Sequence, residues 1–347
     1  MSEKSHDVDS NSLRAAKKDG SATATHAAEP TIAAEAAPSA VGTPAQFAAR
    51  PAIRRGPFAW VHDVAHGRMG ARYLMGAVFV ALCIVALCIP SPYALRYPGG
   101  TLDVLGDVTD GGSTAKVIDI QGAQTYADSG KLLMTTVLVA GAVSPAQNWE
   151  ALVAYLNKDS VIMPREAVVP YGTSSDDYES ESTGQMTTAE DSASANAIRY
   201  VQEHNLASGV LADSTKVTIT PGDVGGPSAG LMYTLGIIDM LTPRQETGGL
   251  TIAGTGTMES DGTVGAIGGI RQKMIGARRD GAEWFLAPAS NCDEVVGHVP
   301  EGMRDVAVST LDEAYRALVA IGEGDTDGLQ QCTTEVYEQA TASQSAS

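Results

Sequence analysis

Two patterns of apolar residues alternate along the C-terminal two thirds of the chain. Short runs rich in Val, Leu, Ile and Thr predict strands at 116–120, 132–143, 161–171, 217–219, 250–253, 263–267, 284–287 and 306–308. Apolar residues at helical spacing predict helices at 145–157, 186–204, 231–241, 269–279, 292–296 and 310–321. The strands at 250–253 and 263–267 are predicted to form a hairpin, because the turn sequence Ser260-Asp261-Gly262 lies between them. This mixture favours an α/β domain.

The longest uncharged apolar run lies earlier, at residues 73–89. It is ~17 residues long, near the lower limit for crossing a bilayer, and the uncharged residues 90–95 extend the predicted transmembrane helix to 73–95. Five arginines precede it within residues 50–72, against the single acid Asp63. Because basic residues stay on the cytoplasmic side, the sequence predicts a single-pass protein of the cell membrane, with a cytoplasmic N-terminus and an extracytoplasmic C-terminal domain.

Two alternatives to a transmembrane helix are a cleaved signal peptide and a buried core helix. A signal peptide has a shorter apolar region nearer the N-terminus, followed by a small-residue cleavage site. The sequence shows no such site after residue 89. The predicted helix therefore contacts membrane lipid.

Composition sets the remaining boundaries. Residues 1–58 are rich in Ala, Ser, Thr and Pro, which predicts a disordered cytoplasmic tail, and residues 59–72 form a basic juxtamembrane segment. Residues 96–180 form an N-terminal exported α/β region, and residues 181–321 carry the candidate chemistry. Residues 322–347 are polar and acidic, which predicts a second disordered tail.

Charge and motif content exclude several classes of partner. The formal net charge of -18 argues against nucleic acid, because phosphate binding needs a basic surface. The sequence contains no G-x-x-x-x-G-K-[ST] phosphate loop, so we expect no ATP binding. The acids at 176–181 lack the spacing of a calcium-binding EF-hand loop and predict a solvated loop. We therefore expect neither a cofactor nor a metal.

A glycine-rich turn at 222–232 places Ser228 at the start of a predicted helix. Amides at a helix N-terminus stabilise an alkoxide or an oxyanion, so the backbone of Gly226, Pro227 and Ser228 is the candidate oxyanion site. A serine hydroxyl needs a base to become a nucleophile. Lys273 on the following helix can be that base if burial lowers its pKa, although spacing alone leaves open whether it lies on the apolar face.

These segments resemble the proteolytic domain of the Lon peptidases. The resemblance rests on GGPSAGLM at 225–232 and GGIRQK at 268–273, with 253–258 and 261–265 between them. It implies that residues 181–321 form a Lon-like proteolytic domain with an α/β (α+β) fold, and that the protein is a serine endopeptidase that hydrolyses polypeptides. By motif, Ser228 is the implied nucleophile, Lys273 the general base, and Thr255 the residue whose hydroxyl holds the lysine.

The similarity is greatest to a membrane-anchored, secreted Lon-like branch that usually carries a PDZ domain. Two departures stand out. Gly225 occupies the position where Lon has an aspartate, and only a short linker lies between Leu206 and Lys216, where this branch has its PDZ domain. Lon domains form rings, but the sequence does not decide the oligomeric state of this protein. A catalytically silent domain that binds peptides or proteins is the alternative function.

Two other motifs suggest different serine chemistry. GPSAG also fits the nucleophile elbow of α/β-hydrolases, which needs a downstream histidine, and His298 is the only one. Pro227 fixes a helix-like φ just before the serine, which disfavours that strained elbow. Ser113 and Lys116 fit the S-x-x-K motif of penicillin-binding enzymes, but the partner motif K-T-G is absent.

The cysteines divide into two pairs. Cys83 and Cys88 lie within the predicted transmembrane helix. Cys292 and Cys332 lie in the predicted exported part, where they could form a disulfide or remain free thiols. A disulfide would tie the acidic tail to the rest of the domain.

Overall fold

The computed structural model describes residues 70–110, 112–209, 211, 214–222 and 226–345. The predicted tail at 1–58, nearly all of the basic segment at 59–72, and Gly225 lie outside these residues. The helices are α1 (Ala71–Cys88), α2 (Asn148–Leu156), α3 (Ser175–Glu203), α4 (Gly230–Leu241), α5 (Ile270–Arg279), α6 (Cys292–Val295), α7 (Leu311–Glu323) and α8 (Thr334–Ser345). Short 3-10 turns span Arg165–Ala167, Pro227–Ala229 and Ala289–Asn291.

The strands are β1 (Tyr93–Asp103), β2 (Asp107–Asp110), β3 (Ser113–Lys116), β4 (Ile118–Gln121), β5 (Lys131–Ala140), β6 (Val161–Pro164), β7 (Lys216–Ile219), β8 (Thr251–Gly254), β9 (Thr257–Met258), β10 (Val264–Gly265), β11 (Trp284–Pro288) and β12 (Arg304–Val308). Six of them form the central sheet in the order β12-β11-β8-β5-β1-β6. The strands from β12 to β5 are parallel, whereas β1 is antiparallel to both β5 and β6. The remaining strands form the antiparallel pairs β2-β3, β4-β7 and β9-β10.

The predicted boundary between 96–180 and 181–321 does not divide the sheet. Strand β5, from the first range, pairs with β8, from the second, between Lys131 and Met134. Helix α3 also crosses residue 180. Both ranges therefore belong to one structural unit, because backbone hydrogen bonds join their strands.

Alternate side chains of the central strands enter two different cores. Ile252 and Leu286 face one side, where they pack with residues of α3, α4 and α7. Ala253 and Phe285 face the opposite side and pack against α5. This follows from the two-residue period of a strand. Helix α4 is largely apolar and almost wholly buried, so its position is fixed by its neighbours.

Helix α1 is long and apolar enough to cross a membrane, and none of its residues is buried. The predicted span of 73–95 is too long at its C-terminal end, since the helix stops at Cys88 and residues from Tyr93 belong to β1. Pro90 and Pro92 explain the stop, because proline lacks an amide hydrogen and disfavours helix in the residue before it.

The acid-rich stretch at 174–181 is helical from Ser175 onward, so its prediction as a loop is wrong. Helix α3 begins at Ser175, and the Ser174 hydroxyl caps it by accepting a hydrogen bond from the Asp177 amide at 3.1 Å. Acidic residues near a helix N-terminus interact favourably with the helix dipole. The predicted helix at 186–204 therefore begins eleven residues earlier.

Two further predictions are wrong. Strand β10 pairs with β9, not with β8, because β8 is already held in the parallel sheet between β5 and β11. The tail from residue 322 is ordered in its described part. It contains α8, whose Val336 is buried beside the disulfide that joins Cys292 to Cys332.

Candidate active site

Ser228 lies in the 3-10 turn Pro227–Ala229, directly before α4. Its carbonyl oxygen accepts hydrogen bonds from the Gly256 amide at 2.9 Å and from the Thr255 hydroxyl at 3.0 Å. The Leu231 amide in turn donates to the Gly256 carbonyl at 3.1 Å. These bonds attach the serine turn to the end of β8. Ser228 is only half-buried, so a substrate can reach it.

Lys273 lies on the apolar face of α5, together with Ile270, Met274 and Ala277. The lysine is 2% exposed. Its Nζ atom is 2.6 Å from Oγ of Ser228. Although these residues belong to helices on opposite faces of the sheet, their side chains meet beyond the carboxyl end of β8.

Thr255 follows β8 and connects both residues. It is fully buried, and its Oγ1 lies 2.9 Å from Nζ of Lys273. Because the single hydroxyl hydrogen is donated to the Ser228 carbonyl, the lysine must be the donor in its bond to Thr255. A neutral amine that donates to Thr255 can direct its lone pair toward the hydroxyl of Ser228.

Burial lowers the pKa of the Lys273 amine to about 7, and the positive charge of Arg96 contributes to the shift. Arg96 lies on β1, and its Nε is buried without a hydrogen-bond partner among the described residues. Gly269, at φ 76°, gives it room, since a Cβ there would be 2.8 Å from Cδ of Arg96. Sequence reasoning missed Arg96; the one signal was a charged residue directly after the apolar residues Tyr93, Ala94 and Leu95.

The candidate oxyanion donors need one correction. Pro227 has no amide hydrogen, so it cannot donate to an oxyanion. The Ala229 amide is also engaged, since it donates to the Gly226 carbonyl at 3.1 Å. Gly226 and Ser228 are the remaining candidate donors, next to the N-terminus of α4.

The alternative serine motifs do not form sites in the described part of the chain. His298 is exposed, and its Nδ1 lies 3.0 Å from the Val296 carbonyl oxygen, so the base next to Ser228 is a lysine. Ser113 and Lys116 are both exposed on β3. Neither the elbow nor the S-x-x-K interpretation has geometric support.

A family model described as the Lon protease (S16) C-terminal proteolytic domain matches residues 167–320. These residues form a Lon-type proteolytic domain. The Lon protease of Clostridioides difficile is 38% identical over 104 residues, which are 29% of this chain and 13% of that protein. Lon protease 1 of Sorangium cellulosum is 32% identical over 142 residues, or 38% of this chain and 17% of that protein.

A mitochondrial Lon protease homolog of Ostreococcus lucimarinus is 36% identical over 100 residues, or 28% of this chain and 10% of that protein. The chain thus spans less than a fifth of the length of these relatives. What it shares with them is the C-terminal proteolytic domain. In this chain, strands β1, β5 and β6 precede residue 167 and complete the sheet of that Lon-type domain.

Proposed function

We propose that this protein is a membrane-anchored, extracytoplasmic serine endopeptidase that uses Ser228 and Lys273 as a catalytic dyad without ATP. The observation that supports it is the 2.6 Å separation between Nζ of Lys273 and Oγ of Ser228, with the amine buried. A pKa of about 7 leaves a substantial fraction of the amine neutral near neutral pH. The substrates are unfolded segments of exported or membrane proteins.

In the proposed reaction, the Ser228 oxygen attacks the carbonyl carbon of a peptide bond while Lys273 accepts the hydroxyl proton. The amides of Gly226 and Ser228 stabilise the tetrahedral oxyanion. The lysine ammonium then gives its proton to the departing amine, which leaves an ester on Ser228. Water then attacks this ester: Lys273 accepts a proton from the water and returns it to the departing Ser228 oxygen, which restores the starting state. Thr255 keeps the amine directed at the serine throughout.

The anchor in this proposal is α1. Arginines precede it in the sequence, which favours a cytoplasmic N-terminus, and all described strands follow it. A phosphatase fused after Ser347 tests this topology, because the enzyme used is active only outside the cytoplasm. We expect the fused phosphatase to be active in intact cells. An inactive fusion would indicate that the C-terminal domain lies in the cytoplasm.

The peptidase proposal is tested with the full chain in lipid nanodiscs, without ATP, and unfolded casein as substrate. Peptide products are mapped by mass spectrometry. We expect wild type to cut casein, and the Ser228→Ala and Lys273→Ala variants to lose cleavage while keeping the wild-type Tm. Ser113→Ala and Lys116→Ala are matched controls, since they remove the same side chains at exposed positions.

Three results would contradict the proposal. Full activity of Lys273→Ala would reject the dyad, and loss of activity in His298→Ala alone would favour the esterase alternative. Intact casein with wild type, together with failure of a peptide boronate to protect Ser228, would leave the peptide-binding alternative. Casein is used because its unfolded chain offers many different cleavage sites, so a peptidase with a narrow sequence preference can still find a site to cut.

A further inference from the structure

Helix α2 presents its large apolar side chains outward and its small ones inward. Ala151 and Ala154 face the protein, where they pack with Leu95 of β1 and Ile162 of β6. The large apolar side chains of the helix are 47 to 78% exposed: Trp149, Leu152, Val153, Tyr155 and Leu156. Four of these recur at the spacing i, i+3, i+4 and i+7, so they form one continuous face. We call these five residues the α2 apolar face.

The start of α2 is hydrogen-bonded to the end of α1. The Asn148 side chain donates to the Ala86 carbonyl at 2.9 Å, and the Asn148 amide donates to the Ile89 carbonyl at 3.1 Å. Pro90 also forms an isolated bridge with Gln147. The position of α2 is therefore fixed relative to the last turn of α1.

The length of α1 sets the depth of α2. Its 18 residues extend about 27 Å, close to the hydrocarbon thickness of a bilayer. If α1 spans the membrane, its C-terminal end lies at the boundary between acyl chains and headgroups. Helix α2 then lies at the same boundary, where Trp and Tyr are enriched in membrane proteins.

We propose that α2 lies in the outer surface of the bilayer, with the α2 apolar face inserted among the lipids. This proposal rests on the membrane anchoring in the proposed function. Apolar burial drives the insertion, because a chain with a net charge of -18 is not attracted to anionic lipid. Neutral phosphatidylcholine is therefore sufficient.

The same arrangement holds the active site close to the membrane. Arg96 lies eight residues after Cys88, which is at most about 27 Å of extended chain. The side chain of Gln272, next to Lys273, contacts the Asp159 carbonyl in the turn after α2 at 3.4 Å. The substrate class that fits is a polypeptide segment emerging from the same membrane surface.

The experiment uses the full chain in phosphatidylcholine vesicles with a Trp60→Phe background, which leaves Trp149 and the buried Trp284. Fluorescence is compared with that of the Trp60→Phe, Trp149→Phe variant, so that the difference reports Trp149 alone. We expect quenching of Trp149 by lipids brominated near the headgroup and protection from aqueous acrylamide. Salt is expected to have no effect.

A separate measurement tests the anchor in the same vesicles. Cys83 and Cys88 are free cysteines in α1, so in a Cys88→Ser background the reaction of Cys83 with a water-soluble maleimide reports whether α1 is inserted. A protected Cys83 with an unquenched Trp149 overturns the α2 proposal alone. A reactive Cys83 overturns the anchoring itself. Trp149 could also be protected from both the brominated lipids and acrylamide, to a degree that rises with the protein-to-lipid ratio. That result would indicate that a second copy of the chain covers the α2 apolar face, and it would also overturn the proposal.

Cleavage provides the functional test. The Leu152→Ser, Leu156→Ser double variant is expected to cut free casein at the wild-type rate and to lose cleavage of casein tethered to the vesicles. Val296→Ser is the control, because Val296 is an exposed apolar residue on another helix terminus. Equal loss on both substrates, or on neither, contradicts the proposal. Absence of casein cleavage in wild type would instead contradict the peptidase function.

Discussion

The amine of Lys273 lies 2.6 Å from the hydroxyl oxygen of Ser228, at a position where the lysine is 2% exposed. A charged ammonium is unfavourable in such surroundings, so the neutral amine is stabilised. The same burial that packs α5 against the sheet therefore lowers the pKa of the amine to about 7. In the proposed mechanism this amine is the base that accepts the Ser228 proton.

The first prediction concerns pH. The proposed reaction needs neutral Lys273, so kcat/KM should rise about tenfold per pH unit below a midpoint near 7 and level off above it. Lys273→Arg should be inactive at every pH, because arginine stays charged. Initial rates on a fluorogenic peptide between pH 5 and 9 measure the midpoint. A flat profile would contradict a lysine base.

The lowered pKa of Lys273 also makes the free energy of unfolding depend on pH. The folded-state pKa of Lys273 is lowered, so the unfolded chain binds more protons between about pH 7 and the usual lysine pKa. This residue therefore costs stability at low pH, and its cost disappears as pH rises through that window. Lys273→Met should remove that component of the pH dependence of unfolding.

The second prediction concerns Arg96. Its positive charge contributes to the low pKa of Lys273, so Arg96→Met should move the midpoint of the pH profile upward, by up to about one unit. Methionine keeps the apolar stem that packs beside Gly269. Arg316→Met, at an exposed position, is the control and should leave the midpoint unchanged. An unchanged midpoint in both variants would show that burial alone sets the pKa.

The third prediction concerns Thr255. Thr255→Val removes a hydroxyl that contacts both Lys273 and the Ser228 carbonyl, and should lower kcat by about 10- to 100-fold. Thr255→Ser keeps the hydroxyl and should recover most of the rate. Steady-state kinetics with both variants separates the hydrogen bonds from packing. Equal kcat values in Thr255→Val and Thr255→Ser would show that the loss of rate comes from altered packing and not from the lost hydroxyl.

The fourth prediction concerns the disulfide between Cys292 and Cys332, which closes a separation of 40 residues. Its loss should destabilise the protein by about 3 kcal/mol and lower Tm by several degrees. The Cys292→Ser, Cys332→Ser variant is measured by calorimetry with and without a reductant. The Cys83→Ser, Cys88→Ser variant is the control and should respond to reductant as wild type does.

The fifth prediction concerns a buried carboxylate group formed by Asp128, Asp239 and Glu246. Burial, followed by the nearby Asp128, raises the pKa of Asp239 well above its usual range, so Asp239 stays protonated in the folded state. The unfolded chain releases that proton above about pH 4. The contribution of Asp239 to stability should therefore fall as pH rises above about 4, by at most about 1.4 kcal/mol per pH unit. Below pH 7 the Lys273 contribution does not change with pH, so the slope there is measured without it.

Asp239→Asn keeps a neutral side chain and should weaken this pH dependence, so that the variant is at least as stable as wild type at pH 8. Asp327→Asn, at an exposed position, is the control. Urea unfolding at several pH values measures the slope. A rise in wild-type Tm on adding calcium, absent in Asp239→Asn, would contradict a protonated Asp239 and indicate a bound cation instead.

The sequence predicted the parts of the site that are local. Ser228 and Lys273 each lie in a glycine-rich motif at a helix start, and Thr255 lies in the short segment between them, so motif order was sufficient to select all three. The resemblance to Lon was carried by the same segments, and the family model matches a range that contains them. Which side of α5 carries Lys273 could not be read from spacing.

The parts that the sequence did not predict depend on distant contacts. Arg96 approaches Lys273 across 177 residues of sequence, through the pairing of β1 with β5. Asp128, Asp239 and Glu246 come together only because α4 ends beside the loop before β5. The helical start of α3 was missed for a different reason, since acidic residues favour either a helix N-terminus or a solvated loop.

The central sheet determines where this protein can be shortened. A version that starts at residue 167, where the family match begins, would lack β5, β1 and β6, and the side of β8 that now bonds β5 would be bare. Unpaired edges of this kind promote aggregation. A recombinant fragment intended for crystallisation should therefore retain the chain from Ser91 onward, even though most of the recognisable motifs lie more than a hundred residues later.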